Sequence, residues 1–311
     1  MTVTAVAAGQ MLEPGAYWSA EWYEREQAEL FARCWNLVGT VDDVATGGSL
    51  HATVAGRAAV VGHDGAWWGR TVPDGSPVAV DVWAGMVFVH LDPDAEPLLA
   101  WLRDFPASIG GYRPEELVEV ARVRFDVAAN WKLFVENHVD VYHLWYLHEQ
   151  SLADYDHPRA SYRFCGPHWV FYEPPRGRPM ARAELVQQGM RVITSIDESW
   201  YGSGAHLIFP NVPIASGATF FQTYQAIPRA PERTTIDLRI RAEPGSDPGA
   251  FVPLTRAVIE VEDGLACERL QAGMRSPRFA VGPLARAHEL PILRFQADVL
   301  ATMAGTDGAP G

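Results

Sequence analysis

The sequence predicts an α+β fold, in which a small β unit, a helix, an antiparallel sheet and long C-terminal helices follow one another in blocks. Three observations carry this reading. Short strand-like runs punctuated by Gly, Asp and Pro fill residues 36–92. Strand-like runs recur between about 164 and 242. The helical zones lie at 130–150, 249–275 and 285–302, and do not alternate with strands as a doubly wound sheet requires.

Taken in order, residues 1–15 read as loosely ordered. Tyr17–Trp35 reads as a helix, with Trp22, Glu26 and Leu30 at four-residue spacing and acidic residues early. The runs ATVAGRAAVVGH and VAVDVWAGMVFVHL, with TGG, HDG and VPDG turns, form a mostly antiparallel β unit closed by Asp92-Pro93-Asp94. A short helix follows at 96–104, then a linker at 107–117. The run VEVARVRFDV is a strand that leads into the helix NWKLFVENHVDVYHLWYLHEQ, and residues 151–163 are polar and turn-like. The later strands are RFCGPHWVFYEP, SGAHLIFPN, ATFFQTYQAIP and TTIDLRIRAEP. No internal repeat is evident.

Composition narrows the function classes. The chain has 311 residues, of which 48% are hydrophobic and 20% charged, enough for a substantial core. Its net charge of -13 argues against nucleic acid and anionic membranes as partners. Neither a signal peptide nor an apolar run of spanning length is apparent, so the expectation is a cytoplasmic protein. The three cysteines, Cys34, Cys165 and Cys267, are far apart, and none forms a CxxC or CxH pair.

The stretch from Asn137 to His148 carries the chemistry. His143 and His148 are five residues apart, about 140° of rotation on an ideal helix, so they converge only where the helix ends or loosens. Asp140 lies three before His143, on nearly the same helical face. Two imidazoles with a distant carboxylate would make a 2-His-1-carboxylate facial triad, which suits Fe(II) and leaves positions open for oxygen and substrate. By spacing alone the signal is weak, and a Tyr- and Trp-rich helix with ordinary polar residues is the better explanation of the pattern.

The surrounding motifs decide between these. NWKLFVENHVDVYHLWYLH resembles the iron-binding segment of Rieske-type non-haem iron oxygenases, the ring-hydroxylating oxygenase alpha subunits: Asn130-Trp131-Lys132, Glu136-Asn137, Asp140, His143 and His148 stand in the family's order. Ile208-Phe209-Pro210-Asn211 resembles its central strand motif. Glu262-Asp263, the run Leu270–Ser276, Gly282, Leu284 and Glu289 resemble its C-terminal signature. The segment 17–50 is similar to its N-terminus.

The resemblance implies a catalytic domain over 106–311 of helix-grip (START-like) form, an antiparallel sheet with long helices. A reduced β-rich remnant of the Rieske domain would occupy 1–105. It implies one mononuclear Fe(II) held by His143, His148 and Asp263, with Glu262 as the second choice for the carboxylate. It implies that Asp140 links an iron-ligand histidine to a cluster-ligand histidine of a neighbouring subunit in a trimer, or else fixes the orientation of His143. It places Asn137 near the iron. An apolar pocket is expected from Phe134, Leu144, Trp145, Leu147, Phe209, Phe221 and Phe295, with His138 and His206 as further candidates, although each could equally pack in the core.

The departure from the family is as informative. Its N-terminal domain holds a [2Fe–2S] cluster on a Cys-x-His and a Cys-x2-His pair. Here 39–91 contains no cysteine, and His51, His63 and His90 have no Cys two or three residues before them. Cys165 and His168 are a lone Cys-x2-His inside the catalytic region. No flavin or nicotinamide motif is present. The leading expectation is therefore an oxygenase that uses O2 to hydroxylate or dealkylate a small organic substrate. Its electrons would come in trans from a Rieske-bearing or ferredoxin-type partner with a separate reductase, in a trimeric homo- or hetero-oligomer. A non-redox lyase, isomerase or hydrolase on the same metal site, or a non-catalytic subunit of a mixed oxygenase, are the alternatives.

Overall fold

The computed structural model describes residues 12–177, 183–282, 284–285 and 288–305. The expectation of a loose N-terminus falls mostly on residues outside that set. After a 3-10 turn at Pro14–Tyr17 comes helix α1 (Ala20–Arg25), which widens into a π-helical turn at Glu26–Leu30 and tightens at Phe31–Arg33. Strand β1 (Asn36–Thr40) and helix α2 (Val41–Gly47) follow, then β2 (Ser49–Val54), β3 (Arg57–His63), β4 (Trp67–Val72), β5 (Pro77–Trp83) and β6 (Met86–His90). These strands form one sheet in the order β1-β6-β5-β4-β3-β2. The antiparallel β unit expected from the turn signals is present, with α2 as an addition to it. Its capping box, Thr40 with Asp43, explains why a helix starts there. The β2–β3 reversal runs through Ala55 and Gly56, both at positive φ, as a two-residue hairpin demands. Val54, Val61, Val78, Val87 and Val89 form the core of this sheet.

Helices α3 (Leu98–Leu102) and α4 (Phe105–Ser108) lead to β7 (Val118–Val127) and helix α5 (Trp131–Val139). Then come β8 (Ser161–Cys165), β9 (His168–Glu173), α6 (Ala183–Gln187), β10 (Ser203–Ile208), β11 (Val212–Gly217), β12 (Phe220–Ala230) and β13 (Arg233–Ala242). The second sheet is antiparallel throughout, in the order β7-β13-β12-β11-β10-β9-β8. Successive strand residues split between its faces. Trp169, Phe171 and Leu207 join the core that includes α5, whereas Val170, Ile208 and Phe221 join Trp35, Leu98 and Phe105 on the other side.

One expectation fails. The helix read over 130–150 stops at Val139, and only a short 3-10 turn reappears at His143–Trp145. The Asp140 carboxylate is the cause: it accepts hydrogen bonds from the backbone N–H groups of Tyr142 (2.7 Å) and His143 (3.1 Å). A short polar side chain that satisfies the backbone locally competes with helix continuation. At the C-terminal end, α7 (Phe251–Arg256) runs through a π-helical segment at Ala257–Asp263 into α8 (Gly264–Met274), and α9 (Leu290–Ala304) completes the chain. Among the described residues no helix is long and apolar enough to cross a membrane.

Candidate metal centre

The Asn130-Trp131-Lys132 start of α5 anchors the site without taking part in its chemistry. Asn130 caps the helix by accepting from the Lys132 N–H. Lys132 is fully buried; its Nζ meets Glu26 Oε1 at 2.5 Å, the Ala16 carbonyl and Asn130 Oδ1. Trp131 Nε1 donates to the other Glu26 oxygen at 2.9 Å. Removing one partner of such a buried pair costs about 3–5 kcal/mol, so these residues decide whether α5 docks on the N-terminal helix. One turn on, Glu136 accepts from Tyr17 Oη (2.7 Å) and Gln296 Nε2 (3.0 Å). Gln271, in the C-terminal signature, accepts from the Asn130 N–H at 2.9 Å.

With α5 fixed, its end delivers the ligands. The Asp140 turn carries His143, whose Nδ1 donates to the Asp140 carbonyl at 2.5 Å. That bond commits Nδ1 and leaves Nε2 facing inward. His148 lies deeper, 2% exposed, and its Nδ1 donates to Glu262 Oε2 at 2.7 Å. Glu262 is itself held by Ser151 Oγ at 2.8 Å. Asp263 comes from the π-helical segment, a local widening that recurs at functional sites. The two adjacent carboxylates thus divide the work: Glu262 reaches the outer nitrogen of His148, and Asp263 Oδ1 sits 3.0 Å from its inner Nε2. Asp263 Oδ1 is 3.8 Å from His143 Nε2 and accepts from Asn137 Nδ2 at 2.8 Å.

The ligand atoms of His143, His148 and Asp263 all lie within 4.8 Å of one another. Among the described residues this is the one such convergence of three His, Cys, Asp or Glu side chains. Burial pushes the His143 imidazole down to about 4, so it is neutral and able to ligate. Burial alone would raise the Asp263 carboxyl, but His148, His143 and Asn137 hold it below its usual range. Two neutralisable imidazoles with their outer nitrogens committed, and one ionised carboxylate, are the donor set that suits iron(II). The residues present fit that ion.

The comparisons agree with this chemistry. The family signature of the ring hydroxylating alpha subunit (catalytic domain) matches residues 114–305. The chain belongs to the Rieske-type ring-hydroxylating oxygenase family. Its fold is similar to that of the quaternary ammonium Rieske monooxygenase CntA in complex with an inhibitor, with a TM-score of 0.76, 18% identity and 94% of each chain covered. It is also similar to naphthalene 1,2-dioxygenase from Rhodococcus sp., with a TM-score of 0.70, 15% identity and 94% of each chain covered. Such coverage takes in most of the N-terminal sheet as well. No curated protein matches the chain in sequence. This family member has the mononuclear iron site and no Cys/His set for a Rieske cluster. Cys34, Cys165 and Cys267 are each buried. Cys165 donates to Ser108 Oγ, and both nitrogens of His168 are taken, by the Trp101 carbonyl and the Phe209 N–H. His63 packs beside Trp67, and His90 Nδ1 accepts from the Asp92 N–H.

A cleft of about 990 Å3, counted with its open mouth, leads to the triad. Phe134, His138 and Leu144 line it, together with Asn137 and Asp140. His138 donates through Nε2 to the His206 carbonyl (3.0 Å), and burial pushes its imidazole down to about 4. The other residues singled out from sequence sit elsewhere. His206 lies on the far face of the sheet, bonded to Ser216 Oγ at 3.1 Å. Phe209 and Phe295 pack on each other in the core, and Phe295 also meets Trp131. Phe221 faces Tyr112, while its neighbour Phe220 lines the cleft. Trp145 packs on His288 and Tyr142. Leu147 is not among the lining residues. One wall of the cleft is a sheet face that the sequence does not mark: Trp169, Phe171 and Glu173 on β9, Ser203 and Ala205 on β10, and Gln222 and Tyr224 on β12. The run HWVFYE reads as a strand in the sequence, but it is buried on both faces and nothing in it says which face meets the cleft.

Proposed function

We propose that the chain is the terminal component of a non-haem iron(II) oxygenase that hydroxylates or dealkylates a small organic substrate with O2, its electrons supplied in trans. The observation that carries this reading is the triad itself: two imidazoles with their outer nitrogens committed converge with Asp263 at the end of an apolar cleft. Iron(II) bound there supplies O2 activation, with positions left open by a three-residue ligand set. The chain's own residues do the rest. Asp140 and Glu262 hold the imidazoles in the ligating tautomer. Asn137 steadies Asp263 by donating from Nδ2 to the carboxylate Oδ1. The walls of Phe134, Trp169 and Phe171 exclude water and present an apolar surface to the substrate.

We read the larger sheet with its long helices as the helix-grip arrangement of residues 106–311, and the six-stranded sheet of 1–105 as a reduced Rieske domain. The tips of that sheet are tight turns without cysteine, so a cluster that serves this iron lies outside these residues. Asp140 suits a relay position: its side chain stays 18% exposed, 3.9 Å from His143 Nδ1. The partner is a Rieske-bearing or ferredoxin-type protein, met in a trimeric or mixed oligomer. The quaternary ammonium and naphthalene enzymes of similar fold bracket the substrate class between charged and apolar small molecules.

The test is O2 consumption by the iron-loaded chain with a reduced Rieske or ferredoxin-type donor and candidate substrates. Substrate-dependent uptake with an oxygenated product is expected. Metal-dependent turnover without O2 or donor would favour a non-redox enzyme on the same site instead.

A further inference from the structure

Glu173 is a buried carboxylate in the wall of the cleft that the metal site does not use. It is 1% exposed and lies on the same face of β9 as Trp169 and Phe171. Its cross-strand neighbour on β10 is Ser203, and that of Phe171 is Ala205, itself paired with Ala215 on β11. These small side chains leave a trough between the large ones at its edges. Among the described residues the Glu173 carboxylate takes one hydrogen bond, from His157 Nδ1 to Oε2 at 2.7 Å. A carboxylate has about four acceptor positions, so Oε1 remains available to whatever fills the trough. His157, His148 and the exposed Arg176 are the positive groups that act on it, and only His157 touches it. They do not outweigh burial, which raises its carboxyl above the usual range. A carboxylate that lines a cleft with acceptor positions to spare is open to a donor that a ligand brings.

We propose that Glu173, oriented by His157, is the specificity anchor of the cleft and selects substrates carrying a positively charged nitrogen, whose N–H it accepts while the apolar part lies over Phe171 and Trp169. The aromatic faces beside the carboxylate add attraction for the same cation. The inference rests on reading this cleft as the substrate pocket of the iron centre.

The experiment is calorimetric titration of the iron(II)-loaded chain, without O2 or donor, with 2-phenylethylammonium and with its uncharged counterpart 2-phenylethanol. The ammonium should bind at least about tenfold more tightly, the worth of one hydrogen bond to a charged group. Glu173→Gln should erase that preference while keeping the iron and the binding of the alcohol. A wild-type chain that binds the two alike, or binds neither, overturns the proposal, as does a folded Glu173→Gln chain that keeps the preference. The wild-type comparison decides the matter even where the variant does not fold. Because binding is read without turnover, a chain inert in O2 consumption would sink the oxygenase reading and leave this one standing.

Discussion

At the scale of single residues, neighbours in sequence have different duties. Glu262 and Asp263 are adjacent acids, yet one serves the outer nitrogen of His148 and the other faces its inner nitrogen. Groups that orient a ligand typically change metal affinity by about 10–100-fold, whereas losing a ligand removes a bond to the ion. Glu262→Gln should therefore weaken iron(II) binding by about that factor without abolishing it, measured by anaerobic competition with a chelator. Abolition would make Glu262 a ligand. The sequence made Asp263 the first choice only through the Glu-Asp pair of the family. Nothing in the two letters says which acid points inward, because that depends on the π-helical segment that carries them. The same limit applies to Phe220 and Phe221: adjacent aromatics of a strand face opposite ways, and only the register assigns them.

At the scale of elements, the decisive feature is the break after Val139. The apolar pattern and the aromatic content of 130–150 favour a continuous helix, so the break was not legible from periodicity. Its agent, the Asp140 side chain, is visible in the sequence, but spacing alone puts it on a helical face. In the structure Asp140 builds the turn that presents His143. Asp140→Ala, which removes both acceptors, should lower iron retention, read as metal per chain after gel filtration. Asp140→Asn keeps one oxygen acceptor for the turn and should retain the iron, with any loss confined to donor-driven O2 consumption. Iron lost equally from both variants would mean that the charge, and not the turn, holds His143. The strands were legible as short strand-like runs between Gly, Asp and Pro turns, and the NWK start was legible as a motif. Its physical meaning, a buried Lys132–Glu26 pair joining α5 to the N-terminal helix, needed the fold.

At the scale of the whole molecule, the larger sheet must hold its shape for α5 and the α7–α8 helix to meet over it. Asp237 on β13 is one of its clamps, accepting from Arg122 (2.8 Å) and Arg124 (2.7 Å) on β7. Burial raises its carboxyl, but the hydrogen bonds from the two arginines outweigh it and hold it at about 2. A carboxyl lower in the folded state than in the unfolded state stabilises fully above the unfolded value and loses that contribution as pH falls towards the folded one. The melting temperature should therefore fall between about pH 5 and 2, and Asp237→Asn should show a shallower fall over the same window. Equal slopes would remove Asp237 from the acid response. The same sheet shows what sequence could tell about function. The order of motifs along the chain identified the family, and the absence of cysteine from 39–91 separated the iron site from its cluster. The shape of the pocket stayed hidden because it arises from strands far apart in sequence.

The donor set predicts that this chain holds one iron, on His143, His148 and Asp263, and no cluster. Anaerobic reconstitution with iron(II), followed by metal and acid-labile sulfide analysis of the wild type and of His148→Ala, tests it most directly. About one iron per chain without sulfide, lost in His148→Ala, is the predicted result. A wild-type chain that retains no iron, or a His148→Ala chain that retains it fully, would show that these three residues do not form an iron site.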